Sequence, residues 1–288
     1  MFDSVDFGEL PQSLVEDIIE QTKGLEHKLL QTFEDWQTKK ENWRTQLDGK
    51  GLLKRASDLP DATIPTTCGI DGSHAIEKLM VIDVVAAGAV AVEGFTPPSE
   101  QSHWEKPWHR VYIETEVHNP HTSTILRAVM FGMELVLAEQ APHDLILLDG
   151  SFATPLISFN QGFIRAKEHI TLNIVKNYLI KNIKSFLIAY YNVLKSDRTD
   201  LQRVAVPKYT THHEIGRELT DRELSYDDRG LLSYILDVGE YTKPIELEKP
   251  SSSWHLDTSV VNNVITQSEK DEIEELVKDI KSFLDNIY

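Results

Sequence analysis

The chain has one cysteine, Cys68, among its 288 residues, so an internal disulfide and a cysteine-based metal site are both excluded. It has no uninterrupted apolar stretch of about 20 residues, so we expect no transmembrane helix. Its first ten residues are acidic and contain no basic segment followed by an apolar one, so we expect no signal peptide. These absences predict a soluble, cytoplasmic protein without a membrane partner.

Positive charge is also scarce, with 29 Lys and Arg against 46 Asp and Glu and a formal net charge of −17. Such a balance argues against an ordinary nucleic-acid binder, because phosphate contacts need Lys and Arg. The charge is uneven, however, since residues 161–220 hold ten Lys and Arg and only five Asp and Glu. This segment predicts either a basic face on an acidic protein or an ordinary solvated helix surface.

The apolar pattern predicts strands and helices in a mixed order. Apolar residues recur at spacings of three, four and seven over 11–48, which predicts a long amphipathic helix that packs on its own chain or forms a coiled-coil dimer seam. Three strands, a helix and a fourth strand are then expected at 67–71, 81–95, 108–118, 125–140 and 145–149. The first three would form an antiparallel meander, and the helical crossover would place the fourth strand parallel to its neighbour.

The tripeptide Asp-Gly-Ser closes an apolar run twice, at Asp71 and at Asp149. An acid in this position is costly to bury without a partner, and the following glycine permits a sharp turn or the close approach of a ligand. A single such step is typical of an Asx-turn. Two steps at the ends of neighbouring strands instead predict that both carboxylates belong to one site.

Two carboxylates at one point repel each other unless a cation lies between them. Oxygen ligands favour a hard divalent ion, Mn²⁺ or Mg²⁺, and a third acid would complete a two-metal site for phosphodiester cleavage. Glu134 is the leading candidate because it interrupts an apolar helix face about 9 Å from the helix foot, at a rise of ~1.5 Å per residue. The rivals are Glu139 on the same helix and two acids on the third strand, Glu114 and Glu116, which share one face that we expect to be solvated.

An acid on the first strand, one on the first helix and one ending the fourth strand form the arrangement of the ribonuclease H-like α/β fold. The fragments GIDGS, RAVMFGMELVLA and LILLDGS, followed by VAVPK and DRGLLSYILDVGEYTKPIEL, together resemble the NurA family of DNA-repair nucleases over residues 65–257. The resemblance implies three regions. They are an N-terminal helical arm at 1–55 for dimer or partner contact, a nuclease domain at 60–257 and a C-terminal acidic helix at 258–288.

The resemblance further implies a manganese-dependent 5′→3′ exonuclease and single-strand endonuclease that acts in DNA end resection and double-strand break repair. Such enzymes are homodimers that work with a hexameric HerA-type ATPase. Carried over by position, Asp71, Glu134 and Asp149 would bind the metal, and Lys208 would lie near the scissile phosphate. One departure is that the family's late histidine is absent here, since no histidine follows His255.

Two other functions fit parts of the pattern. Asp-Gly-Ser turns also hold ATP phosphates in actin-like ATPases and sugar kinases, but this chain is too short and too poor in glycine for a complete duplicated version. A non-catalytic interaction module could keep the fold and the helical arm. The three intact acids argue against such a module.

Overall fold

The computed structural model describes residues 10–61, 64–94, 103–106, 108–169, 171–195, 199–208, 212–219, 227–248, 253–262 and 264–287. The helices of these residues are α1 (Gln12–Gly49), α2 (Thr122–Gln140), α3 (Thr154–Glu168), α4 (Asn173–Lys195), α5 (Glu214–Leu219), α6 (Asp228–Ile235) and α7 (Gln267–Ile287). The strands are β1 (Leu53–Arg55), β2 (Thr67–Lys78), β3 (Asp83–Gly94), β4 (Trp108–Glu116), β5 (Leu145–Asp149), β6 (Gln202–Val206) and β7 (Glu240–Thr242).

The chain divides into two compact units, one of Met1–Pro60 with Thr211–Ile245 and one of Asp61–Thr210 with Glu246–Tyr288. The first unit therefore joins the N-terminal helix to a later segment of the chain. The three regions expected from the sequence, at 1–55, 60–257 and 258–288, stay a prediction.

The first unit is built on the C-terminal part of α1, where an apolar stripe meets α5 and α6. Its small core consists of Trp43, Leu47, Ile215, Leu219, Leu231 and Ile235. Arg44 adds a two-pronged ion pair to Glu240, with N–O distances of 2.7 and 2.8 Å. Towards the start of α1 the large apolar side chains are exposed. They are Leu14, Ile18, Ile19, Leu25, Leu29, Leu30 and Phe33.

The second unit contains a five-stranded mixed sheet in the order β4-β3-β2-β5-β6. The pairs β2–β3 and β3–β4 are antiparallel, whereas β5 is parallel to both β2 and β6. The predicted meander, helical crossover and parallel fourth strand are thus confirmed. Burial alternates along β3 because inward residues such as Val85 and Ala87 face the helices, while Val90 and Val92 on the other face are exposed.

Helix α2 covers the inner face of the sheet and forms the centre of the core. Thirteen of its residues are buried, and α3 and α4 pack against it. Helix α7 packs on α4 through its own apolar stripe, which consists of Ile273, Val277, Ile280 and Leu284. The acidic C-terminal helix is therefore part of the core of this unit. No helix in the described ranges is both long and apolar enough to cross a membrane.

Candidate active site

The two aspartates stand side by side on neighbouring strands. The parallel register of β2 and β5 pairs Thr67 with Leu145 and runs to Ile70 and Leu148, so Asp71 and Asp149 are the next residues along each strand. Strand β5 ends at Asp149, and Gly150 then takes a φ of +89°, which side chains other than glycine rarely adopt. The second Asp-Gly-Ser step is therefore the strand end and sharp turn that the sequence predicts.

The first Asp-Gly-Ser step differs from the prediction, because β2 does not end at Asp71 but continues to Lys78. The expected turn at Gly72 was wrong, since this glycine lies within a regular strand paired with Ala89 of β3. A glycine is required here because there is no room for a side chain. A β-carbon on Gly72 would collide with Oε1 of Glu134 and lie 2.7 Å from Cγ of Met130. Strand β2 runs on because β3 pairs with its whole length.

Glu134 reaches the aspartates from the layer of helices below the sheet. Its side chain is only 4% exposed, and it lies under Gly72 on the face of α2 that also carries Met130. Burial raises the pKa of its carboxyl group to about 8, and the charges of Asp71 and Asp149 contribute in the same direction. The Gly72 backbone N–H and the Lys208 charge oppose this shift without cancelling it. The carboxyl group of Glu134 is therefore close enough to Asp71 and Asp149 for their charges to change its pKa.

Lys208 brings a positive charge to the same place. Its Nζ lies 2.8 Å from Oδ2 of Asp149, and its side chain is 65% exposed. The hydrogen bond and the charge of Asp149, followed by the charge of Asp71, raise the pKa of Lys208. The four residues selected from the sequence thus meet around the ends of β5 and β6 and the middle of β2.

The rival acids serve other purposes. Glu116 was expected on a solvated face but is 2% exposed, and it accepts the Ile174 and Val175 N–H groups at 2.9 and 3.0 Å, so it caps α4. Glu114 is exposed and Glu139 accepts a hydrogen bond from Asn192. Among the described residues no hydrogen bond or ion pair joins either of these two to the aspartates, whereas the charges of Asp71 and Asp149 act on Glu134, so Glu134 is the third acid of the cluster.

The donor set fits a hard divalent cation in its chemistry. All of its atoms are carboxylate oxygens, the ligands that Mn²⁺ and Mg²⁺ prefer. Burial is the main cause of the raised pKa of Glu134, and the charges of Asp71 and Asp149 add a repulsion that a cation would offset. Within the described ranges no three His, Cys, Asp or Glu side chains are close enough together to form a finished ligand set. Asp71, Glu134 and Asp149 are the residues that would hold the ion.

Several cations of the basic segment have carboxylate partners or lie apart from the rest. Within the second unit Arg165 pairs with Glu168, Lys167 with Asp257 and Lys184 with Glu272. Arg217 belongs to the first unit. These four residues therefore do not contribute unpaired charge to a single basic face of the second unit, and a basic face formed by the others stays a prediction.

His255 is exposed, and in the described part of the chain no interaction joins it to the three acids. It therefore gives no sign of replacing the family's late histidine.

A mixed sheet with an acid on its central strand, one on the crossover helix and one ending the adjacent parallel strand defines a ribonuclease H-like class of protein. The NurA domain model matches residues 65–270, and the chain belongs to the NurA family. No curated protein matches the chain significantly.

Among solved structures, the chain is similar to the NurA nuclease from Sulfolobus solfataricus. The identity is 12%, the TM-score is 0.50, and the match covers 79% of this chain and 68% of that one. A NurA structure bound to dAMP and manganese matches at 15% identity with a TM-score of 0.36, covering 92% of this chain and 62% of that one. At these identities the first likeness shows the fold alone.

Proposed function

We propose that this protein is a metal-dependent DNA nuclease. Membership of the NurA family supports a nuclease function. The observation that carries the proposal is the convergence of Asp71, Glu134 and Asp149 at a point where burial and mutual repulsion raise the pKa of Glu134 to about 8. Such a strained acidic cluster is costly in a purely structural role and is typical of a catalytic site.

The residues divide the work by their positions. Asp71, Asp149 and Glu134 would hold the cation through their carboxylate oxygens. When bound, the ion supplies a Lewis acid and a water of lowered pKa for phosphodiester hydrolysis, with two ions in a two-metal mechanism. Lys208, whose Nζ lies 2.8 Å from Oδ2 of Asp149 and whose side chain is 65% exposed, would donate to a phosphate oxygen and stabilise the charge that develops in the transition state.

The finer proposal is a Mn²⁺-dependent 5′→3′ exonuclease and single-strand endonuclease that works in DNA end resection. In support of manganese, a solved NurA structure contains that metal. We also propose that a hexameric HerA-type ATPase is its partner and that DNA repair in the cytoplasm is its setting. The partner would supply DNA-binding charge that this acidic chain has in short supply.

We propose a homodimer for the same protein. The exposed apolar side chains of α1 include Ile18, Leu25, Leu29 and Phe33, which recur at spacings of seven and four. This spacing places them on one helix face, and a helix that exposes such a face is expected to associate. The arm is therefore the surface that we assign to self-association.

Two alternatives are less well supported. Family membership argues against an actin-like or sugar-kinase-type ATP-binding protein. A non-catalytic module would have no reason to keep Glu134 buried beside two aspartates, because replacing a buried acid by an apolar residue is usually neutral or stabilising. The intact cluster therefore favours catalysis.

The test is degradation of 5′-labelled and 3′-labelled single- and double-stranded DNA with Mn²⁺, Mg²⁺ or EDTA. We expect cleavage with Mn²⁺ that disappears in Asp71→Asn and in Asp149→Asn. Glu114→Gln, which removes an exposed acid from the same unit, is the matched control and should cleave normally. The labels report the polarity. Cleavage that persists in both aspartate variants would exclude this site, and no cleavage by wild type with and without a HerA-type ATPase would favour the non-catalytic module.

A further inference from the structure

One side of β2 is left without a strand partner beyond the acids. Strand β5 pairs with β2 only as far as Ile70, whereas β2 continues to Lys78 with β3 on its other side. In the described part of the chain no strand pairs with this second half of β2 on the β5 side. In the described residues the backbone of this half of β2 therefore has no strand partner on the side that carries Asp149.

His74 on β2 and Arg127 on α2 lie at similar distances from the acids along their own elements. Arg127 precedes Glu134 by seven residues on α2, which is two turns or about 10 Å at ~1.5 Å per residue and keeps both side chains on one helix face. His74 follows Asp71 by three residues on β2, again about 10 Å at ~3.3 Å per residue. Burial lowers the pKa of His74, and the charge of Arg127 adds to this shift in the same direction.

The surroundings hold these two residues in place. Nε2 of His74 lies 3.0 Å from Oγ of Ser123 in the first turn of α2, which fixes the strand to the helix. The Arg127 guanidinium donates to the side-chain oxygen of Gln161 on α3. Arg127 is therefore held by the neutral amide of Gln161, while the His74–Ser123 pair joins β2 to the first turn of the same helix.

Arg127 differs in its partners from three other cations of this unit. Arg165, Lys167 and Lys184 are each neutralised by a carboxylate. Arg127 is exposed, and among the described residues its side chain has no carboxylate partner, only the amide of Gln161. A guanidinium with free donors suits a phosphate, which it can bind through two parallel hydrogen bonds.

We infer that Arg127, positioned by Gln161, binds a backbone phosphate of the DNA strand about 10 Å from the scissile one. The contact would lie within about three linkages of the cleaved one, because the rise is ~3.4 Å per nucleotide in a duplex and larger in an extended single strand. The inference rests on the proposed nuclease function for the meaning of "scissile". It implies that the site requires a strand long enough to reach Arg127, so that short products lose this contact and leave.

A phosphate-neutralisation scan tests this contact. Single-stranded oligonucleotides that carry one neutral methylphosphonate, moved linkage by linkage, are bound to the full-length protein in EDTA and followed by fluorescence anisotropy. Cleavage rates of the same set are measured with Mn²⁺. We expect one linkage, within about three of the cleaved one, at which wild type loses about tenfold in affinity and in kcat/KM.

The decisive comparison is Arg127→Gln. In this variant the sensitive linkage should become insensitive, and the salt dependence of binding should fall by about 0.7 in log–log slope, the value for one phosphate contact on a single strand. Lys184→Gln removes one charge elsewhere in the unit, and its scan should match wild type. If the losses from Arg127→Gln and from the sensitive linkage multiply, or if no linkage is sensitive, the assignment is wrong.

The two readouts separate this inference from the proposed function. A sensitive linkage that disappears in Arg127→Gln in EDTA supports the phosphate site even when no DNA is cleaved, in which case the nuclease proposal alone fails. Cleavage by a wild type whose scan is flat overturns the phosphate site and leaves the nuclease proposal intact.

Discussion

The carboxylate of Glu134 occupies the space that a β-carbon on residue 72 would fill, so the buried acid and Gly72 are fitted to each other. Gly72 lies within a regular strand, and its lack of a side chain leaves room there for Glu134. Gly150, in the second Asp-Gly-Ser step, has a different role, because its φ of +89° is one that other residues rarely adopt. The same tripeptide thus leaves room for a buried side chain in one strand and forms a turn at the end of the other.

Replacing Gly72 by alanine should therefore damage the site from within the strand. The added methyl group would push against Glu134 and Met130, which are both packed below the sheet, and we expect a loss of about 1–3 kcal/mol in unfolding free energy. We also expect cleavage to fall at least 100-fold, because Glu134 can no longer approach Asp71. Urea unfolding and DNA cleavage measure the two effects.

Gly69→Ala is the matched control for that substitution. Gly69 lies in the same strand, and a β-carbon there would meet no atom within 4 Å. The variant should keep its stability to within about 0.5 kcal/mol and cleave normally. Equal losses in the two variants would mean that strand propensity, and not the contact with Glu134, explains the glycine.

The raised pKa of Glu134 predicts how the metal-free protein depends on pH. An unperturbed glutamate has a pKa of 4.5, and here the folded-state pKa is about 8, so the folded state retains a proton that the unfolded state loses. The stability from this group is complete below about pH 4.5 and is lost as pH rises to about 8, with a slope of at most ~1.4 kcal/mol per pH unit.

Urea unfolding in EDTA between pH 5 and 9 measures this slope. Glu134→Gln keeps the shape of the side chain but cannot ionise, so its curve should lack this contribution and should exceed wild type in stability near pH 8. The same slope in both proteins would show that another group is responsible.

Lys208 should matter for catalysis and little for stability. It is 65% exposed, and such ion pairs contribute little to folding. If its ammonium group stabilises the transition state, Lys208→Gln should lower kcat/KM by 10²–10³-fold, the range for one lost donor. Lys167→Gln removes an exposed, ion-paired lysine of the same unit and should cleave as wild type. Equal steady-state values of kcat/KM for the two variants would contradict this role of Lys208.

The sequence was sufficient for the antiparallel meander, the helical crossover and the parallel strand β5, because these follow from local patterns. Apolar runs, a helical period and the acids that interrupt them predict the first half of β2, the strand β5 and the position of Glu134 on the apolar face of α2. The parallel pairing of β2 with β5 follows from the helical crossover between them. Lys208 was selected from the family resemblance and not from a local pattern, and the catalytic role of all four residues stays a prediction.

The sequence could not distinguish the two Asp-Gly-Ser steps, because a local pattern does not show what lies beneath a strand. The fate of Gly72 depends on Glu134, 62 residues away, and the length of β2 depends on its pairing with β3. Glu116 was misplaced for the same reason, since its burial follows from the position of α4, which alternation along a strand does not reveal. Long-range contacts decide all three features.

The cap on α4 gives a prediction that separates a structural acid from a catalytic one. Glu116 accepts two N–H groups in the first turn of α4 and is 2% exposed, so Glu116→Ala should leave buried donors unpaired and cost about 1–3 kcal/mol. Glu114→Ala, two residues earlier on an exposed position, should cost nearly nothing. At a temperature where both variants remain folded, both should cleave DNA as wild type, and a selective loss of cleavage in either would return that acid to the site.

The exposed stripe of α1 should hold two copies of the chain together. Leu29 is 58% exposed and lies at the middle of the stripe, so Leu29→Glu would place a charge in an apolar seam that association would bury. We expect this variant to sediment as a monomer at concentrations where wild type is a dimer. His27→Glu places the same charge on the opposite side of the helix, two residues away, and should leave the dimer intact. Sedimentation velocity over a concentration series measures both.

A wild type that is monomeric throughout, or a dimer that survives Leu29→Glu, would show that the stripe is not the seam. Because Leu29 is remote in sequence from the acids, Leu29→Glu also reports whether cleavage needs the dimer: unchanged cleavage by the monomer would mean that each copy carries a complete site.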